Sequence, residues 1–176
     1  WPSLLSSTFS DDNEEDEETN SILECNYDIN PTILYQNIQS KQWSSVIKRS
    51  QTHPNEVSTW VSRTEVNSTK LRWKLLPLHA AIIFNAPYDV IKYLCNVEGT
   101  NNRNGYSVKS CDDQGKLPLH LCLRKNNTDD SVNLEEKLKV IELLVNIYPE
   151  SLSIKDNKGR TPIMLVHKLS NYEQDL

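Results

Sequence analysis

The sequence predicts an all-α fold, a helical solenoid of about three helix pairs plus a final helix, with long connecting loops. A proline-led phrase occurs three times, at residues 76–81, 117–122 and 161–166, and its prolines are 41 and 44 residues apart. Apolar residues at helical spacing follow each phrase. Because a phrase that returns at a near-constant interval is typical of stacked repeats, we expect successive helix hairpins that pack on one another.

The first predicted helix pair lies between residues 30 and 54 and is the least regular. Pro31 begins it, and His53 with Pro54 ends it, because proline cannot continue the backbone hydrogen bonding of a helix. Its two helices are marked by apolar residues: Ile33, Leu34 and Ile38, then Trp43, Val46 and Ile47. Irregular end units are common in such arrays, because one face meets water instead of a neighbour.

Two further pairs follow Pro77 and Pro118, and a final helix follows Pro162. The apolar positions of the second pair are Leu78, Ala81, Ile82 and Ile83, then Val90, Ile91 and Leu94. Those of the third are Leu119, Cys122 and Leu123, then Leu138, Ile141, Leu144 and Val145, separated by the polar insertion 125–133. Pro149 stops the last of these helices.

The residues of the phrase have separate roles at a helix start. Gly115 and Gly159 supply a turn with positive φ, which other residues adopt only at a cost. The prolines occupy the first helical turn, where a missing amide proton loses nothing. Thr161 can cap its helix with its hydroxyl, whereas Leu76 and Leu117 cannot, so those two helix starts are expected to rely on packing.

These segments resemble the ankyrin repeat, in which Asp and Gly precede a Thr-Pro-Leu-His phrase and a helix pair follows it. The resemblance is best at residues 112–120 and 156–162. The resemblance covers roughly residues 30–170. It implies antiparallel helix pairs and a protein-binding role. The chain departs from the pattern at Leu71, Lys74 and Met164, which stand where Asp, Gly and His are expected.

The charge pattern separates an acidic tail from a near-neutral body. Seven of the 24 acidic residues lie between Asp11 and Glu18, and no basic residue precedes Lys41. A run of like charge repels itself and stays solvated. We therefore expect a disordered acidic tail at residues 1–29, an ankyrin-repeat domain at 30–170 and a C-terminal end at 171–176.

The composition indicates an intracellular chain, expected in the cytoplasm, with the nucleus or an organelle left open. The four cysteines show no Cys-x-x-Cys pairing, and Cys95 and Cys122 lie in apolar helical patterns, so reduced thiols are expected. No apolar stretch approaches the ~18 to 20 residues that cross a bilayer. The chain begins at Trp1, which indicates processing or a piece of a longer protein.

No motif for catalysis, a cofactor or a metal appears in the sequence. There is no Gly-x-Ser-x-Gly, no His-Glu-x-x-His and no glycine-rich phosphate loop. His79 and His120 occupy the same place in successive phrases, which favours a structural hydrogen bond to backbone over a zinc site. We therefore expect a protein that is not an enzyme and holds no cofactor.

Two connections, residues 54–74 and 97–116, are unusually long, and the candidate partner-binding residues lie mostly on them. The second contains Asn104-Gly105, a favoured pair for a hairpin turn. The candidates are polar, basic or aromatic residues on or beside these connections and the last turn: Asn102, Arg103, Asn104, Tyr106, Trp60, Trp73, Lys116 and Arg160. For Trp60 and Trp73, packing in the core is an equal alternative. For the second loop, the alternative is that it only connects two helices and binds nothing.

The sequence therefore favours a protein–protein interaction module, an adaptor or scaffold that binds a protein partner through its loops and inner helices. Two alternatives stay open: a structural subunit of a larger complex, and a regulatory protein whose acidic tail engages a basic partner. Nucleic-acid binding is not expected, because the Lys and Arg residues are scattered rather than gathered in one stripe.

Overall fold

The computed structural model describes residues 23–96, 105–124 and 134–165. Their α-helices are α1 (Ile33–Gln39), α2 (Trp43–Thr52), α3 (Pro77–Ile83), α4 (Tyr88–Cys95), α5 (Tyr106–Lys109), α6 (Pro118–Cys122) and α7 (Leu134–Ile147). The strands are β1 (Glu24–Asn26), β2 (Trp60–Thr64) and β3 (Leu71–Leu75). Short 3-10 helices at Pro54–Ser58 and Pro149–Ser153 follow α2 and α7, and residues 162–165 are helical.

The longer helices pack in two rows. Helices α1, α3 and α6 contact one another in sequence and form the first row, while α2, α4 and α7 form the second. Each first-row helix also packs on its second-row partner: α1 on α2, α3 on α4, and α6 on α7. The predicted helix pairs are therefore present, and their ends at His53-Pro54 and Tyr148-Pro149 are confirmed.

Apolar side chains between the two rows form the core. The largest fully buried ones include Leu34 and Ile38 of α1, Leu78 of α3, Leu94 of α4 and Leu144 of α7. These residues recur on one side of each helix, and burying a leucine or isoleucine side chain stabilises a fold by about 1.5–3 kcal/mol. Three of the predicted apolar positions are not in the core, because Ile33, Ile83 and Leu138 are 49%, 42% and 55% exposed.

A three-stranded mixed sheet makes the all-α prediction wrong. β1 pairs with β2 in parallel, with Cys25 opposite Val61, and β2 pairs with β3 antiparallel, with Ser62 opposite Lys74. The segment from Trp60 to Leu75 thus forms a β-hairpin within what the sequence predicted only as a long connection. Alternating apolar and polar residues in Leu71–Leu75 were the signal for a strand.

The domain boundary at residue 29 is also corrected. β1 lies within the predicted tail, and the backbone N–H of Tyr27, just after β1, donates to the Ser62 carbonyl at 2.8 Å, so the folded part begins by Glu24. The acidic run from Asp11 to Glu18 and the C-terminal residues 171–176 lie outside the described residues. Among the helices of the described ranges, none has the length and apolar character needed to cross a membrane.

Candidate partner-binding surface

Two tight turns of the same design lie at one edge of the helix rows. The Asp112 carboxylate oxygen Oδ1 accepts from the backbone N–H groups of Gln114 and Lys116, both at 2.8 Å. In the second turn, Asp156 Oδ1 accepts from the backbone of Lys158 and Arg160, both at 2.9 Å. An aspartate that closes its own turn in this way fixes the loop without help from packing.

The two turns and the hairpin are joined in a single row. The Asn157 backbone N–H donates to the Gln114 carbonyl at 3.0 Å, which links the second turn to the first. The first turn is linked to β3, because Asp113 Oδ1 accepts from the Lys74 backbone N–H at 3.0 Å. We call the surface formed by residues 65–75, 112–116 and 156–160 the turn edge.

Two buried histidines of the first helix row bond to segments that border the turn edge and, through Arg160, to the turn edge itself. His79 Nδ1 accepts from the Leu76 backbone N–H at 3.1 Å, and its Nε2 lies 3.0 Å from the Ser110 carbonyl. His120 repeats this arrangement, with Nδ1 accepting from the Leu117 backbone at 3.1 Å and Nε2 lying 3.1 Å from the Arg160 carbonyl. The structural interpretation of both histidines is confirmed.

This geometry requires neutral rings that carry their proton on Nε2, because Nδ1 accepts from a backbone N–H. Burial lowers the pKa of His79 to about 4, against a smaller rise from the Ser110 carbonyl. Burial also lowers the pKa of His120. Each histidine accepts the backbone N–H of the residue before its helix, as the third helical residue does in a capping box. Leu76 and Leu117 themselves supply no side-chain acceptor for the N–H groups of the first turn.

Trp60 and Tyr106, two of the candidate binding residues, pack beneath the hairpin and bond to each other. The Trp60 indole N–H donates to the Tyr106 hydroxyl at 3.1 Å, and the indole ring stacks on His79 with ring centroids 6.0 Å apart. Trp60 is buried and Tyr106 is half-buried. Their first role is therefore to hold β2 against α5 and α3.

Trp73 packs in an aromatic cluster on β3. Its ring stacks on Tyr35 with centroids 6.1 Å apart and meets the edge of Tyr27 at 5.2 Å. Because Tyr35 is buried on α1, this cluster fastens the sheet to the first helix row. For both tryptophans the contacts fit the packing alternative, although Trp73 keeps part of its surface exposed.

Lys116 and Arg160 end the two joined turns, and both are half-buried. They occupy equivalent positions, and Arg160 makes two hydrogen bonds to Asp156 Oδ2, at 2.9 and 2.6 Å. This pairing lowers the pKa of Asp156 to about 2. Arg124, which was not among the candidate residues, is exposed just after α6.

The hairpin contributes an exposed tip that was not predicted from the sequence. Val66 is 88% exposed and Leu71 is 44% exposed, and the exposed Lys70 and Arg72 lie beside them. Glu65 pairs with Lys70 across the turn at 3.1 Å, which closes the tip. The sequence signal was the pair of apolar residues that flank a polar turn, the usual pattern of a hairpin.

Three of the candidates, Asn102, Arg103 and Asn104, lie outside the described residues. The hairpin predicted at Asn104-Gly105 is wrong, because no strand directly follows Gly105. Gly105 has φ +74° and is followed at once by α5, so the chain enters a helix there rather than a second strand. A left-handed glycine suits a helix start as well as a hairpin turn, and the dipeptide alone does not distinguish them.

The cysteines are all free thiols. Burial raises the pKa of Cys95 to about 12 and that of Cys122 to about 11, so both are poor nucleophiles at neutral pH. Within the ranges that the structure describes, no group of three or more His, Cys, Asp or Glu side chains could hold a metal ion.

Comparisons with known proteins give a likeness of fold but no family. No protein-family model matches the chain, and no curated protein matches it. The fold is similar to a chain in the crystal structure of the yeast ribosomal protein Rps3 in complex with its chaperone Yar1. The TM-score is 0.53 at 15% sequence identity, covering 80% of this chain and 84% of that chain.

These findings correct the family assignment. The prediction of an ankyrin-repeat chain is wrong: no family model matches, and the likeness found is to a ribosomal-protein–chaperone structure. The three-stranded sheet also excludes a purely helical array over the described residues. The repeated phrase reflects a local design for starting a helix, namely a proline at the first turn and a histidine that accepts the preceding backbone N–H.

Proposed function

We propose that the chain is a protein–protein interaction module that binds its partner on the turn edge. The observation that carries the proposal is the row of three linked elements, the hairpin and two turns, held in place by buried histidines. Its outer side offers both apolar and basic groups, among them Val66, Leu71, Arg72 and Lys116. A rigid surface of this kind loses little entropy when it binds.

The contacts of the hairpin support this proposal over a plain connector. A connector needs no fixed shape, whereas β2 and β3 are held by β1, by the aromatic cluster and by the Trp60–Tyr106 hydrogen bond. An exposed valine at the end of such a supported hairpin stabilises nothing within the described fold. Rigid loops that present apolar side chains to solvent are common contact sites.

The similar solved structure is consistent with this proposal, because its title names a complex between two proteins. Catalysis forms no part of the proposed activity, and neither does a cofactor. The proposed location is intracellular, most simply the cytoplasm, since all four cysteines are free and reduced thiols persist there.

The test compares partner capture by the full chain and by two matched double variants. Val66→Asp with Leu71→Asp places charges on the turn edge, while Leu134→Asp with Leu138→Asp changes two exposed leucines on α7 in the second helix row. We expect the first variant to lose the proteins that the unchanged chain captures, as identified by mass spectrometry, and the second to retain them.

Thermal unfolding of all three proteins provides the control for folding. Equal capture by the Val66→Asp, Leu71→Asp variant would contradict the proposal. Loss of capture by the α7 variant alone would place the contact on the second helix row instead.

A further inference from the structure

We propose that α7 is an interface between two copies of this chain, whose α7 helices lie side by side in the same direction and join through an apolar stripe. The stripe consists of Leu134, Leu138, Ile141 and Val145. This inference goes beyond the proposed function, because α7 belongs to the second helix row and not to the turn edge.

The stripe is separate from the buried side of α7. The helix packs on α4 and α6, and its buried residues are Val140 and Leu144. Two of the stripe residues, Leu134 and Leu138, are 69% and 55% exposed, and the other two are half-buried. A row of aliphatic side chains that meets solvent along a helix marks a contact site.

The spacing of the stripe indicates that its occupant is another helix. Successive stripe residues are four, three and four positions apart, which averages 3.5. This is the interval at which two helices stay in contact along their length. A flat or irregular partner surface does not need such a repeat. The stripe also explains why Leu138 fits the helical period of α7 without belonging to the core.

The charges beside the stripe indicate that the second helix is α7 of another copy. Lys137 flanks the stripe on one side and Glu142 on the other, five positions further along. In a parallel pair of helices, flanking residues five positions apart lie opposite each other across the contact. Lys137 of each copy therefore meets Glu142 of the other, and two-fold symmetry forms this pair twice.

Both charges have capacity for this pairing. Lys137 is half-buried and Glu142 is exposed. Neither forms an ion pair with another residue of the described ranges. In an antiparallel pair, each side of the stripe would face the same side of the other copy. Glu135 and Glu142 would then meet like charges, which opposes that arrangement.

The interface is small, so the association is weak. A helix of 14 residues is about 21 Å long, and a contact of this size is typical of weak complexes. Because α7 is already folded by its packing on α4 and α6, the pairing does not have to pay for helix formation. We expect a dimer that dissociates in the micromolar range.

Sedimentation equilibrium of the full chain over micromolar concentrations measures this association. Lys137→Glu and Glu142→Lys each place like charges opposite one another in both pairs, and each should weaken the dimer about tenfold. Lys48→Glu makes the same change of charge as Lys137→Glu at an exposed position of α2, and this control should associate as the parent does.

A mixture of the two single variants gives the sharpest result. When the Lys137→Glu chain meets the Glu142→Lys chain, both pairs regain opposite charges. The mixture should therefore associate about as tightly as the parent, although each variant alone does not. An effect of either substitution on the folding of its own chain would not be restored by mixing.

A parent chain that stays monomeric throughout, or a mixture that associates no more tightly than its components, would overturn the inference. A lower unfolding midpoint for Leu134→Asp with Leu138→Asp in a monomeric chain would also overturn it, because residues of the same chain would then cover the stripe. These results do not involve the hairpin. Loss of capture by the Val66→Asp, Leu71→Asp variant would still support the proposed function.

Discussion

Single residues in this chain act mainly by what they do to the backbone. His79 and His120 accept an N–H that would otherwise lack a partner at a helix start, and they reach a carbonyl of the next segment. Each ring thus makes two hydrogen bonds within the fold in place of the two that it makes to water in the unfolded chain. Because the rings are buried, these bonds require the neutral form, which makes the fold sensitive to acid.

The first prediction concerns this pH dependence. The folded pKa of His79 is about 4, below its ordinary value of 6.5, so the unfolded chain takes up the proton first as pH falls. The free energy of unfolding should therefore decrease below pH 6.5, by about 1.4 kcal/mol per pH unit for this histidine. His120 adds to the decrease, since its pKa is lowered too.

Urea unfolding between neutral pH and about pH 5 measures this slope before most carboxylates titrate. A free energy of unfolding that stays constant over this range would show that the histidines are not held neutral in the folded chain.

Two glycines offer a matched pair of substitutions. Gly115 and Gly159 both have φ +72°, but a Cβ at Gly115 would clash with Asn157, whose backbone N would be only 2.9 Å away, whereas one at Gly159 meets nothing within 4 Å. Gly159→Ala should cost about 1 kcal/mol for the left-handed backbone alone. Gly115→Ala should cost clearly more, because it also disturbs the hydrogen bond between the turns.

Thermal and urea unfolding of the two variants gives the comparison directly. Similar losses of stability in both would mean that the two turns do not pack as described.

Helices and strands were predictable to different degrees, for physical reasons. Helices α3 and α6 were found because proline at a first turn and apolar residues at helical spacing act locally. β1 was missed because three residues beside an acidic run form a strand only by pairing with β2, which is distant in sequence. Leu138 fits the helical period of α7 but lies on its exposed side.

A further prediction tests how β2 is fixed to the helices. Tyr106→Phe removes the hydroxyl that accepts from the Trp60 indole and leaves a buried donor without its partner. The free energy of unfolding should fall by about 1–2 kcal/mol. Tyr93→Phe, on α4, is the control and should change stability little, because no hydrogen bond of its hydroxyl is seen within the described ranges.

An unchanged unfolding midpoint for Tyr106→Phe would contradict the supporting role assigned to this residue. Partner capture by the same variant, measured below its unfolding transition, separates a structural effect from a direct contact.

At the scale of the whole molecule, the candidate site could be predicted only in part. Lys116 and Arg160 were named from the sequence, and the structure places them at equivalent ends of two joined turns. Tyr106 was taken for a contact residue, and Trp60 was left open between contact and core packing, because the sequence does not show that the two side chains bond to each other.

The central claim is that a partner protein covers the turn edge, and amide hydrogen exchange of the full chain with and without its captured partner tests it most directly. The account predicts slower exchange on binding at residues 65–75, 112–116 and 156–160. Slower exchange confined to α2, α4 and α7, with the turn edge unchanged, would contradict it.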